Sequence, residues 1–125
     1  MISLHGLLAC MACLPVAVHA EPPLPIRSGQ YAFQMKDAEY HGADFATVNV
    51  KVTISGRHIV IVSDDSSSTL YPKGALIHEG MLMWHAASRQ WIVGNAEPDR
   101  HAREVGDCSD GPEVIDLRKR VYWTC

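Results

Sequence analysis

From Thr47 to Ile54 the chain alternates without a fault, Val48, Val50, Val52 and Ile54 interleaved with Thr47, Asn49, Lys51 and Thr53. Successive side chains of an extended strand point to opposite faces, so this pattern builds one apolar and one wet face. The same residues wound into a helix would scatter their apolar groups around the axis. After Ser55-Gly56-Arg57-His58 comes a second apolar run, Ile59-Val60-Ile61-Val62. Folding back at Gly56 places Ile54 opposite Ile59 and Val52 opposite Ile61 on a shared core face. A hairpin of this kind needs further strands to cover it, since two alone are marginal in water.

The rest of the chain supplies them. Tyr31, Phe33 and Met35 alternate with Ala32 and Gln34. Met81 to His85 and Gln90 to Val93 read as a hairpin joined through residues 86–89, with Trp84 facing Trp91 and Leu82 and Val93 beside them. Glu113 to Leu117 and Val121 to Cys125 form a last hairpin around Arg118-Lys119-Arg120. Asp64 to Thr69 is a polar loop, and residues 94–112, with Gly94, Pro98, Gly106, Gly111 and Pro112, are a long connection in which Arg100 to Val105 forms one helical turn. Helical apolar periodicity is sustained nowhere, and no internal repeat is visible. The expectation is an all-β, mostly antiparallel domain over residues 29–125, about 6–8 short strands closed into a small barrel or stacked as a two-sheet sandwich. The barrel is preferred because closure removes free edges.

Every Asp, Glu, Lys and Arg lies at or beyond Glu21, and the preceding segment is apolar or small apart from Ser3, His5 and His19. Residues 1–20 therefore read as a signal peptide, with Val18-His19-Ala20 as the cleavage site and the cut after Ala20. The apolar run from Gly6 to Val18 falls short of the about 20 residues a transmembrane helix needs. Leu7-Leu8-Ala9-Cys10 resembles a lipoprotein cleavage box, but the segment before it is short for insertion, so a lipid anchor at Cys10 is not favoured. Residues 21–28, with Pro22, Pro23 and Pro25, are an extended leader that enters neither helix nor central strand. Export implies a bacterial periplasm or exterior, where the remaining cysteines, Cys108 and Cys125, pair as one disulfide. Setting Val114 opposite Trp123 brings Cys125 opposite Pro112, and the Gly111-Pro112 bend returns Cys108 to it.

Eleven basic against fourteen acidic side chains give a net charge of -3, so the basic excess that drives nucleic-acid binding is missing. Catalytic chemistry finds little support. His78-Glu79 and His85 invite a metal, but these histidines are seven apart, pointing to opposite faces of a strand, where HExxH needs them four apart on a helix. His85 is expected to cap a strand end, and His78 to be solvated. There is no GxSxG, and Asp99, Glu104, Asp107 and Asp110 lack the alternation of a calcium loop. No cofactor, metal site or catalytic residue is expected.

The segment from Met81 to Val93 is apolar on both faces: Leu82, Trp84, Trp91 and Val93 on one, Met81, Met83 and Ile92 on the other. A barrel wall turns only one face inward, so the other must be covered by the 95–112 connection or by a partner. The candidate partner contacts are Met83, Trp84, His85 and Trp91, with Arg118 and Arg120 at the rim. The expected function is an exported, non-enzymatic binding protein of the inhibitor or immunity kind that neutralises a toxin or cell-wall hydrolase. The alternative is a calycin-like carrier of a small apolar ligand, which calls for an internal cavity of about 300 Å³ or more.

Overall fold

The computed structural model of the protein describes residues 12–14, 21–39 and 47–125. The expected signal peptide lies outside them except for residues 12–14, as do its cleavage site, Cys10 and His41; Cys13 is free and exposed. Among the described residues seven strands close into a barrel in sequence order: β1 (Gly29–Asp37), β2 (Val48–Ser55), β3 (His58–Ser63), β4 (Leu76–His85), β5 (Gln90–Gly94), β6 (Glu113–Asp116) and β7 (Val121–Thr124). No helix among them is long and apolar enough to cross a membrane.

Each neighbouring pair from β1 to β7 is antiparallel, and the barrel shuts through a parallel pairing of β1 with β7, Gln34 beside Val121 through Asp37 beside Thr124. This follows from parity. When an odd number of strands alternates in direction, the first and last run the same way, so closure must be parallel. The sandwich alternative is therefore not formed, and the sheet is mixed.

The expected registers hold: Ile54 faces Ile59, Val52 faces Ile61, and Trp84 faces Trp91 with Leu82 beside Val93. Ile115 faces Tyr122 and Asp116 faces Val121, the register that puts Val114 opposite Trp123. The inward residues Phe33, Met35, Val50, Val52, Ile54, Ile59, Ile61, Leu82, Val93 and Ile115 fill the interior as one core. At the β2–β3 turn Gly56 takes a left-handed conformation, φ 61°. That conformation suits glycine because no Cβ opposes it.

The outward apolar face has its own cover. Met83, Ile92 and Val114 are buried together, with Val105 of the 95–112 connection and Trp123 packed on them. Of the two covers expected for this face, the 95–112 connection is the one found over Met83 and Ile92, which form a second, smaller core, while Met81 stays exposed. The helical turn of that connection lies earlier than expected, a 3-10 turn at Glu97–His101. Pro98 supplies the fixed φ suited to a first turn. The Asp99 carboxylate accepts the Asn95 and Ala96 N–H groups that the turn leaves unpaired.

Cys108 and Cys125 form the disulfide, with Cα atoms 5.3 Å apart at a sequence separation of 17. It ties the end of β7 to the long connection. Replacing both cysteines by Ser is expected to lower stability by about 3 kcal/mol in the chain-entropy account, read from urea unfolding midpoints. Because Met83 belongs to the second core, Met83→Ala is expected to cost about 2–5 kcal/mol in the same assay.

Candidate functional site

β5 and β6 pair only at Ile92–Val114 and Val93–Glu113. Beyond that the strands part, although Gln90 and Trp91 on one side and Ile115 and Asp116 on the other continue in extended form. The gap is a cleft of about 300 Å³. Its walls carry residues from both faces of the barrel, Trp84, Trp91, Ile115 and Leu117 from the inner face and Val114 and Trp123 from the outer. Such a mixture is what an opening in a barrel wall exposes. Trp84 meets Trp91 edge-to-face, ring centroids 5.3 Å apart and planes at 62°, a geometry favoured by the ring quadrupoles.

The leader lies along this cleft. Pro22, Pro23 and Pro25 line it, while Leu24 and Ile26 pack on the main core. The leader joins no strand, and a side chain holds its start in place. The Glu21 carboxylate accepts the Trp84 N–H at 2.8 Å, Arg100 Nη1 at 2.7 Å and Arg57 Nη2 at 2.6 Å. It thereby links β4, the 3-10 turn and the β2–β3 turn. Arg57 also lies over the Trp91 ring, 5.9 Å from its centroid, and its Nη1 is buried without a hydrogen-bond partner. Burial alone would raise the Glu21 pKa. The hydrogen bonds from Arg100 and the Trp84 N–H, with the charges of Arg100 and Arg57, outweigh it and hold the carboxyl below its ordinary value.

The sequence-derived contacts divide. Trp84, Trp91 and Arg118 meet at the cleft. Met83 is in the second core, and Arg120 stands over the Tyr31 ring at 5.1 Å, on the β1 side. His85 is buried at the end of β4: Nε2–H donates to the Ala102 carbonyl at 2.7 Å, and Nδ1 is bonded to Ser88 Oγ at 2.7 Å. Both ring nitrogens are committed to holding the 95–112 connection against the β4–β5 turn.

One polar group lies where the sequence reading does not put it. His78, expected to be solvated, faces the interior beside Ile61, its Nδ1 2.8 Å from Tyr122 Oη. Its side chain also bonds Asn95, yet burial dominates and lowers its pKa. Burial likewise raises Tyr122, helped by the nearby Glu113 charge and by Tyr71, and burial raises Glu113. The signal was present, because alternation through β4 puts His78, Gly80, Leu82 and Trp84 on one face. His78 and His85 do not converge: one points into the barrel and the other lies under the connection.

Comparison of the chain with known protein families, with curated proteins and with solved structures found no match.

Glu21→Gln removes the charge that three donors share, and is expected to cost about 1–3 kcal/mol at neutral pH. Because the folded-state pKa is depressed, this contribution is complete above the ordinary value of 4.5 and fades as pH falls through the lower folded value. Urea midpoints of the two proteins should therefore converge in acid. A constant gap down to the acid limit would show that the charge is not what matters.

Proposed function

We propose that the protein is an exported, non-enzymatic binding protein that holds a protein partner of the bacterial envelope at the tryptophan cleft, acting as an inhibitor or immunity module. The observation that carries this is the cleft itself, an unfilled gap between β5 and β6 walled by Trp84, Trp91 and Trp123. Tryptophan and arginine dominate the energetics of protein interfaces, because they bury large area and offer directed donors. Arg89 and Arg118 stand exposed at the mouth and make no ion pair among the described residues. Charges so placed steer an acidic partner toward the site.

The main interior is filled by Val52, Ile59, Ile61, Leu82 and Val93, each with at most 1% of its surface exposed. A small apolar ligand, the alternative occupant, would therefore compete for the same cleft. Binding of a fluorescent apolar dye that Trp84→Ala abolishes, with no protein adduct at the cleft, would count for the carrier.

A photo-crosslinking residue at Gln90, exposed beside the cleft, is expected to give a discrete protein adduct in envelope extract. Arg118→Glu is expected to slow association with that protein several-fold while leaving thermal unfolding unchanged. Absence of any adduct, or association indifferent to the charge reversal, would remove the proposal.

A further inference from the structure

The end of the barrel bearing the β2–β3 turn holds two binding features side by side, and the chain's own leader fills part of both. The first is a carboxylate site. Arg57 Nη2, Arg100 Nη1 and the Trp84 N–H converge on Glu21 from three separate elements. The second is the tryptophan cleft, against which Pro22, Pro23 and Pro25 lie. Proline suits such a surface: it has no N–H to leave unpaired, its backbone is already extended, and its ring packs flat on aromatic faces.

We infer that this end of the barrel is a receptor for an extended partner segment in which an acidic residue is followed by prolines, and that the leader is a resident stand-in for that segment. The inference rests on the binding-protein reading and names what the cleft takes. Three observations support it. The leader does not exhaust the site, since about 300 Å³ beside its prolines is unfilled and Arg57 Nη1 is buried with no partner. The rim charge matches an acidic ligand, Arg89 and Arg118 facing Asp116 alone, whose Oδ1 is occupied by the Arg118 and Lys119 N–H groups. The leader is also displaceable. Its residues 22–26 make no backbone hydrogen bond among the described residues, and beyond the Glu21 carboxylate its polar ties are Arg27 O to the Tyr31 hydroxyl and Ser28 Oγ to the Gly56 N–H. A partner segment of the same chemistry can exchange with it without breaking a strand ladder.

A tethered stand-in competes at an effective concentration in the millimolar range, so releasing it should unmask the site. The test uses the full chain and a fluorescent synthetic heptapeptide, Glu-Pro-Pro-Leu-Pro-Ile-Arg, followed by anisotropy. Glu21→Gln is expected to bind it at least tenfold more tightly than the unaltered chain. Versions of the peptide with Gln for Glu, or Ala for the prolines, should each lose at least tenfold. If Glu21→Gln proves too unstable, a Pro22→Ser/Pro23→Ser chain serves as the released form, with near-ultraviolet circular dichroism to establish that the barrel is intact. Equal affinity of released and unaltered chains, equal affinity for the substituted peptides, or self-association of the released chain without peptide binding would each overturn the inference. Crosslinking of a partner at Gln90 that excess heptapeptide, added before irradiation, fails to suppress would overturn it too, while leaving the binding function standing. If neither partner nor peptide binds, both fall together.

Discussion

The structure depends on how seven alternating strands meet their own beginning. Parity forces the seam between β1 and β7 to be parallel, and that seam spans only Gln34 to Asp37 on β1. On its other side the β6–β7 hairpin is joined to β5 by just Ile92–Val114 and Val93–Glu113. The last hairpin is thus the least-paired part of the wall, between two short ladders. Two devices compensate. The Cys108–Cys125 bond fastens the chain end to the long connection, and Ile115, Leu117 and Tyr122 drive the hairpin's inner face into the main core. The same shortage of pairing leaves the cleft open where β5 and β6 separate.

Apolar residues on both faces of a strand are ambiguous, and here the chain resolves the ambiguity locally. Met83, Ile92 and Val114 look outward, but the connection that leaves β5 returns over them and brings Val105 into contact. His85 pins that connection from below by donating to the Ala102 carbonyl, and Arg100 carries its 3-10 turn to Glu21. A single excursion therefore covers the second core, satisfies a buried histidine and supplies one of the donors that hold the leader. The cleft stays open to solvent, and its tryptophans come from β4, β5 and β7.

Much of the fold was legible because strand alternation is a local code. Val48 to Ile54 and Ile59 to Val62 specify their own face, and a tight turn at Gly56 then leaves one register that buries both sets. Trp84 opposite Trp91 followed from the same logic. The site was legible only in part. Residue type and position single out Trp84, Trp91 and Arg118, which the fold brings together at the cleft. Glu21 was passed over, because nothing in a proline-rich leader indicates that its first carboxylate will accept donors from Trp84, Arg57 and Arg100, residues far along the chain. His78 is expected in solvent although alternation places it inward, because its partners Tyr122 and Asn95 arrive from other strands and connections.

By itself, then, the sequence determined what near neighbours can decide: strands rather than helices, which face of each is apolar, the hairpin registers, and the two cysteines available beyond residue 20. Those properties arise from side-chain direction and turn geometry over a few residues. Only the tertiary structure decided the parallel seam, the covering of Met83 and Ile92, the place where the wall parts, and the three-donor grip on Glu21. Each depends on how many strands complete the circle and on which distant segments that circle brings together, and neither quantity is written in any local stretch of the chain.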